Sequence, residues 1–98
     1  MDVSFNDKDL ADLEGNEDAQ TRLDSAIVRA FRKVMRIVRD ANDERDIRAM
    51  KSLRFEKLKG DRADQYSLRL NDKWRLTFQI VESEPKNTIH VLAIEDYH

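Results

Sequence analysis

Two short runs in which apolar and polar residues alternate constrain the fold of this chain more than any other feature. Tyr66, Leu68 and Leu70 alternate with polar residues, and after a turn the pattern resumes from Trp74 to Ile80. Alternation with a period of two is typical of β-strands with one buried face. Because only a few turn residues separate the runs, they predict a β-hairpin.

The length of the hairpin loop determines which side chains share a face of the sheet. A two-residue loop would place Leu70 opposite Lys73, which mixes apolar and charged residues on each face. A three-residue loop over 71–73 places Leu70 opposite Trp74 and keeps one face apolar. We therefore predict the three-residue loop. The opposite face then carries a polar, cationic patch formed by Ser67, Arg69, Arg75 and Thr77.

The rest of the chain adds helices before the hairpin and one more strand after it. The predicted elements are a strand at 3–5, a short helix over 7–15, a long helix from an Asn16 cap to Ala41, a short helix over 42–50, a strand starting at Leu53 and a last strand over 89–94. The last strand is apolar on both faces, which predicts an interior position in the sheet. We expect a single α+β domain over residues 1–98, with N-terminal helices packed on one face of a small antiparallel sheet.

Composition limits the classes of protein that this chain can represent. Among its 98 residues there is no cysteine, so disulfides, thiolate metal sites and a cysteine nucleophile are excluded. No apolar run is long enough for a membrane span or a signal peptide. We therefore expect a cytoplasmic protein without a membrane partner.

Charge is distributed unevenly along the chain, although the net charge is only −2. Residues 25–75 carry 15 basic and 8 acidic side chains, whereas residues 1–24 carry 2 basic and 8 acidic ones. Such a basic centre can bind a polyanion, and a solvated surface of mixed charge is the alternative. The same choice applies to the polar side of the long helix, which presents Arg29, Arg32, Lys33, Arg36 and Arg39.

The chain ends on Asp96, Tyr97 and His98, which combine an acid, a phenol and an imidazole. Histidine titrates closest to neutral pH, and tyrosine can stack on a base or donate a hydrogen bond. Taken alone, such an end is typical of a solvated tail. An interior last strand would instead bring these residues to the rim of the sheet, close to the cationic patch.

Several cations and this C-terminal end together indicate phosphodiester chemistry. Arginine and lysine stabilise the charge of a pentacoordinate phosphate, while histidine or tyrosine transfers protons. A ribonuclease can work in this way without a metal by letting the 2′-hydroxyl attack its own phosphate, so DNA would not be a substrate. His-Glu-x-x-His and phosphate-loop motifs are missing, so we predict no metal or cofactor, and His90 within a strand is expected to be structural. The candidate residues are Lys57, Lys59, Arg62, Arg69, Arg75, Tyr97 and His98.

Three stretches of the sequence resemble the HigB branch of the RelE/ParE toxin superfamily. They are Leu58-Lys59-Gly60-Asp61-Arg62, the run from Gln65 to Phe78, and the terminal Glu95-Asp96-Tyr97-His98. The resemblance implies a small cytoplasmic toxin that cleaves mRNA in the ribosomal A site. It also implies neutralisation by a helix-turn-helix antitoxin similar to HigA, with operator DNA bound only through the complex.

The same resemblance assigns roles to individual residues. Lys59 and Arg75 would hold the scissile phosphate and stabilise its charge, His98 would transfer a proton, and Tyr97 would position a nucleotide. Substrate binding would involve Lys57, Arg62, Arg69 and Asp96, with Asp96 also supporting the end of the chain.

Two departures from the family pattern leave alternatives open. Some members carry a histidine where this chain has Glu56, so the general base is either Glu56 or His98 acting alone, or the activity is low. The acidic net charge also differs from that of relatives that act on ribosomes. The rival functions are a ParE-like inhibitor of DNA gyrase that cuts no RNA, and a non-catalytic module that binds RNA or the ribosome.

Overall fold

The computed structural model describes residues 1–96, and Tyr97 and His98 lie outside the described residues. Within the described residues, three α-helices precede most of a five-stranded sheet, and two short 3₁₀ turns, Lys51–Leu53 and Gly60–Arg62, flank the second strand. The helices are α1 (Lys8–Gly15), α2 (Ser25–Asp40) and α3 (Glu44–Ala49), and the strands are β1 (Asp2–Phe5), β2 (Glu56–Lys57), β3 (Tyr66–Arg69), β4 (Trp74–Val81) and β5 (Thr88–Asp96). The predicted α+β class is confirmed.

The strands lie in the order β1-β5-β4-β3-β2. Strands β2 to β5 pair antiparallel with their neighbours, as the sequence predicts, whereas β1 adds a parallel pair at the edge beside β5. The last strand therefore lies inside the sheet, between β1 and β4, which confirms the prediction from its apolar character. Its C-terminal end reaches the start of β4, where Asp96 pairs with Trp74.

The β3–β4 hairpin has the predicted three-residue loop. Leu68 pairs with Leu76, and the Leu70 amide donates to the Trp74 carbonyl at 2.9 Å. Within the loop, Asn71 Oδ1 accepts hydrogen bonds from the amides of Lys73 and Trp74, each at 2.9 Å. The asparagine side chain thus satisfies two backbone donors and stabilises the reversal of the chain.

The N-terminus of α2 is the main error in the sequence prediction. The helix begins at Ser25, and Asp24, instead of Asn16, caps it by accepting from the Ala26 amide at 2.9 Å. Asn16 ends α1 instead, since its amide bonds to the Asp12 carbonyl. The segment between them is polar and lacks an apolar stripe that could pack as a helix, so it forms a loop.

The strand expected from Leu53 also begins later. Leu53 ends a 3₁₀ turn, and Arg54 then adopts a left-handed φ of 45° before β2 starts at Glu56. A non-glycine residue in this region of φ is uncommon, because its Cβ crowds the backbone. The kink separates the buried Leu53 from the exposed edge strand that carries Glu56 and Lys57.

The hydrophobic core lies between the apolar stripe of α2 and one face of the sheet. This places the helices on a single side, as predicted, and leaves the face with Ser67, Arg75 and Thr77 on the other side of the sheet. Among residues 1–96, none of the helices combines the length and the apolar character needed to cross a bilayer. The core includes Ile27, Phe31, Val34 and Val38 of α2, and Leu68, Leu76, Phe78, Ile89 and Val91 of the sheet.

Candidate active site

The cationic patch predicted on β3 and β4 is a buried polar cluster rather than an open surface. Arg75 retains 5% of its accessible surface, and Ser67 and Thr77 retain 1% and 3%. These three side chains share the face of the sheet opposite the hydrophobic core, as the hairpin register requires. Burial makes each polar contact in the cluster stronger than it would be in water.

Arg75 is held in one orientation by two neighbouring segments. Its Nε and Nη2 donate to Ser67 Oγ at 3.1 and 2.9 Å, and Nη2 also donates to the Arg54 carbonyl at 2.6 Å. The left-handed Arg54 is therefore the residue whose carbonyl supports the guanidinium. Because arginine stays protonated in proteins, the cluster contains a fixed positive charge at the centre of the polar face.

Glu56 lies beside this guanidinium on the edge strand β2. It pairs across the strands with Ser67, and its Oε2 lies 3.7 Å from Arg75 Nη2. The carboxylate side chain is 45% exposed, so solvent or a ligand can reach it. An accessible carboxylate next to a cation is suited to accept a proton from a group bound there.

Two lysines follow Glu56 and line the same open pocket. The pocket has a volume of about 490 Å³ and is lined by Glu56, Lys57, Leu58 and Lys59. Within residues 1–96, neither lysine forms an ion pair. The pocket is therefore suited to an anion that extends towards Glu56 and Arg75.

Lys59 is placed by the turn that follows it. It is the cap of the 3₁₀ turn Gly60–Arg62, and Gly60 has a φ of +66°. Residues with a side chain rarely adopt that φ, so the backbone of this turn favours glycine. The Leu58 amide donates to the Gln65 carbonyl at 2.9 Å and closes the base of this loop.

Arg62, expected to bind substrate, is engaged with an internal carboxylate. Its Nη1 and Nη2 donate to the two oxygens of Glu95 at 2.9 and 2.5 Å, and its Nε donates to Gln65 Oε1 at 2.9 Å. The Glu95 carboxylate also accepts from Thr77 Oγ1 at 2.7 Å. The hydrogen bond to Glu95 raises the pKa of Arg62. The hydrogen bonds from Arg62 and Thr77 lower the pKa of Glu95 against the opposing effect of burial.

The other two residues proposed for substrate binding are also in ion pairs. Arg69 pairs with Asp72 of the hairpin loop, and Asp96 lies 3.5 Å from Lys73 Nζ. Arg69 stands opposite Arg75 in the hairpin. The structure therefore brings Glu56, Lys57, Lys59 and Arg75 together, while Arg62, Arg69 and Asp96 contact carboxylates or cations of the protein itself.

The roles predicted for Tyr97 and His98 lie outside the described residues. Residues preceding them are placed close to the polar cluster, since Glu95 pairs with Arg75 across β4 and β5. His90, expected to be structural, bonds through Nδ1 with Ser4 Oγ at 2.7 Å and so links β5 to β1.

Sequence reasoning missed the contribution of Glu95 to this site. A signal was present, because the acidic Glu95 directly follows the apolar strand predicted over 89–94. Its partner Arg62 could not be inferred, since the two residues are far apart in sequence and no periodicity relates them. In the part of the chain from residue 1 to 96, no group of three or more metal-ligating side chains converges.

Comparison with known proteins agrees with the fold described above. A family model described as the RelE-like toxin of type II toxin-antitoxin system HigB matches residues 3–98. The chain is 32% identical over 88 residues to Toxin HigB-1 of Vibrio cholerae serotype O1, with 90% of this chain and 93% of that protein covered. The YoeB/ParE toxin from Agrobacterium tumefaciens superposes with a TM-score of 0.61 over 100% of both chains at 18% identity, a likeness of fold.

Proposed function

The chain belongs to the HigB family of RelE-like toxins of type II toxin-antitoxin systems, and we propose that it is an endoribonuclease that cleaves translated mRNA in the ribosomal A site without a metal ion. The observation that supports this proposal best is the fixed Arg75 guanidinium, 3.7 Å from the Glu56 carboxylate and beside a pocket lined by Lys57 and Lys59. This arrangement joins a phosphate-binding cation to an accessible base.

In the proposed reaction, the 2′-oxygen of the RNA forms a bond to the adjacent phosphorus and the bond from phosphorus to the 5′-oxygen breaks. The base, Glu56 or His98, takes the proton of the 2′-hydroxyl, and His98 gives a proton to the departing 5′-oxygen. Lys59 and Arg75 stabilise the charge that develops on the phosphate oxygens. Because the Arg75 guanidinium is already held by Ser67 and Arg54, its positive charge needs no reorganisation when the negative charge develops.

The products of this reaction are a 2′,3′-cyclic phosphate and a 5′-hydroxyl end. Tyr97 positions a nucleotide next to the scissile bond, and Lys57 contacts the RNA backbone. The open pocket alone does not enclose a nucleotide, so the ribosome supplies the remaining walls of the site and holds the message in place.

A type II system includes an antitoxin, and we propose that this partner is a helix-turn-helix protein similar to HigA. The toxin acts in the cytoplasm, where its ribosomal substrate is found, and reaches operator DNA only through the antitoxin complex.

Part of the basic face of α2 is engaged in contacts within the protein. Arg32 donates to the Leu13 and Asn16 carbonyls, and Arg39 pairs with Glu14.

The test is to map new 5′ ends on an mRNA translated in a purified system with and without the toxin. We expect cuts in the translated region only, and a rate reduced by at least about a hundredfold for Arg75→Ala, because the variant loses a preorganised charge at the transition state. Arg39→Ala, whose arginine lies on the helical side in an ion pair, is the matched control and should cleave at the parental rate.

Arg75 is buried, so thermal unfolding of both variants must accompany the assay. Arg75→Lys keeps the positive charge, but a lysine cannot reproduce the simultaneous contacts of the guanidinium with Ser67 and the Arg54 carbonyl. We therefore expect slow cleavage by this variant even if it is folded. Parental cleavage by a folded Arg75→Ala variant would contradict the proposed site. Absence of any new 5′ ends with the parental protein would favour a gyrase inhibitor or a passive RNA-binding module.

A further inference from the structure

The ion pair between Arg62 and Glu95 connects three segments that carry the proposed catalytic residues. Arg62 ends the 3₁₀ turn that starts after Lys59. Glu95 lies near the C-terminal end of β5, three residues before His98 in the sequence. The Glu95 carboxylate also accepts from Thr77, which belongs to the same strand as Arg75. The Glu95 carboxylate therefore connects the last strand to β4 and to the 3₁₀ turn that follows Lys59.

The geometry of this pair favours a fixed arrangement over a mobile surface contact. Two parallel hydrogen bonds at 2.9 and 2.5 Å join the guanidinium to both carboxylate oxygens. Bidentate pairs of this kind restrict orientation as well as distance, unlike a single contact between long side chains. The Thr77 hydroxyl and the Gln65 amide oxygen hold the two partners from either side, at 2.7 and 2.9 Å.

The same contacts use three of the five N–H donors of the Arg62 guanidinium, one on each nitrogen. Its Nε, Nη1 and Nη2 each donate to a side chain of the protein. The nearby Lys57 and Lys59 form no such pair within residues 1–96 and line the open pocket. The contrast separates two lysines that line the pocket from an arginine that is paired with a carboxylate of the protein.

We propose that Arg62 and Glu95 are positioning residues, which set the distance between the turn carrying Lys59 and the strand that leads to Tyr97 and His98. This inference rests on the proposed function. Neither side chain touches the RNA in this account. The pair holds the turn that follows Lys59 and the C-terminal part of β5 in one arrangement relative to Arg75.

The alternative role for Arg62 is direct binding of the RNA phosphate, and it predicts a different result for the Glu95→Gln variant. If Arg62 binds the RNA phosphate directly, Glu95 competes with the substrate for the guanidinium. Glu95→Gln would then free Arg62 and maintain or increase cleavage. If the pair positions the site, loss of either partner has the same effect, because the tie is broken in both cases.

The experiment measures kcat and KM for cleavage of mRNA in programmed ribosomes. We expect Arg62→Gln and Glu95→Gln each to lower kcat by about tenfold to a hundredfold, the scale of small misplacements in active sites, with KM within about twofold of the parent. The double variant should be no slower than the slower single variant, because contacting residues that act as a unit are not additive. Exchange of the two residues, Arg62→Glu with Glu95→Arg, should recover part of the lost kcat.

The pair between Arg39 and Glu14 is a close control. It is also bidentate, at 2.6 and 2.7 Å, and its side chains are 45% and 17% exposed, compared with 43% and 33% for Arg62 and Glu95. It joins α1 to α2, on the helical side of the molecule. Arg39→Gln should therefore leave kcat and KM at the parental values, and its thermal midpoint measures what a lost surface pair costs in stability.

Parental or faster cleavage by Glu95→Gln would overturn this inference, as would multiplicative losses in the double variant. A raised KM in Arg62→Gln with kcat unchanged would instead place Arg62 on the RNA. Each of these results leaves the proposed function intact, because the parental protein still cleaves. A parental protein that cleaves no mRNA would overturn the proposed function and the positioning role together.

Discussion

At the scale of single residues, the sequence indicates which side chains have useful chemistry but not which of them are already engaged. Lys59 and Arg75 were both predicted to hold a phosphate. In the structure Lys59 lines an open pocket, whereas Arg75 is held by hydrogen bonds to Ser67 and to the Arg54 carbonyl. Such differences depend on contacts between distant segments, and the left-handed backbone of Arg54 has no signature in the sequence.

Glu56 is the residue on which the proposed mechanism depends most, because it is one of the two candidate bases. If Glu56 accepts the proton of the 2′-hydroxyl, Glu56→Gln keeps the shape of the side chain and removes its basicity. We expect cleavage to slow by about a hundredfold or more, the scale of general base catalysis. Single-turnover rates on programmed ribosomes measure this change.

Lys57→Gln in the same pocket is the matched control, because it removes a charge without removing a base. Its effect should be confined to binding, seen as a raised KM whose ratio to the parental KM shrinks as the salt concentration rises. Cleavage by Glu56→Gln at the parental rate would assign the carboxylate to structure and leave His98 as the base.

At the scale of helices and strands, the prediction from sequence was correct where an element is determined by residues that are neighbours in the sequence. The β3–β4 hairpin was predicted with its loop length, because alternation and register are fixed by neighbouring residues. The predicted start of α2 was wrong. Both Asn16 and Asp24 are good caps, but the polar segment between them lacks an apolar stripe that could pack as a helix. The parallel pairing of β1 with β5 joins the two ends of the chain and could not be inferred from local patterns.

The ion pair between Arg62 and Glu95 predicts that the stability of the fold depends on pH. The folded state lowers the pKa of Glu95, chiefly through the hydrogen bond from Arg62. A carboxylate with a lowered pKa stabilises the fold fully above the pKa of the unfolded chain, about 4.3, and loses that contribution as pH falls through the folded value. The difference in unfolding free energy between the parent and Glu95→Gln should therefore be constant near neutral pH and shrink in acid.

Denaturant unfolding at a series of pH values measures this difference. The same substitution made in an Arg62→Gln background is the control, where the acid-dependent part should be reduced because the main partner is missing. A difference in unfolding free energy that stays constant down to about pH 3 would contradict the assigned role of the pair. It would mean that the pKa of Glu95 is the same in the folded and the unfolded chain.

At the scale of the whole molecule, the fold class followed from the order of helices and strands, and the structure adds how charge is arranged on it. The acidic segment 1–24 forms β1, α1 and the loop before α2, and Glu14 of this segment pairs with Arg39. The proposed site is formed instead by β2, β3, β4 and the turn after β2. Part of the negative charge is thus neutralised on the helical side, which allows a chain with a net charge of −2 to present lysines to RNA.

The central claim is that the 2′-hydroxyl of the message attacks its own phosphate, and one substitution in the RNA tests it directly. Ribosomes are programmed with an mRNA that carries a 2′-deoxynucleotide on the 5′ side of the mapped scissile bond, and an unmodified message serves as control. We predict that the toxin cuts the control to a 2′,3′-cyclic phosphate and a 5′-hydroxyl end, and leaves the modified message intact at that bond. Cleavage of the modified bond at the control rate would contradict the mechanism.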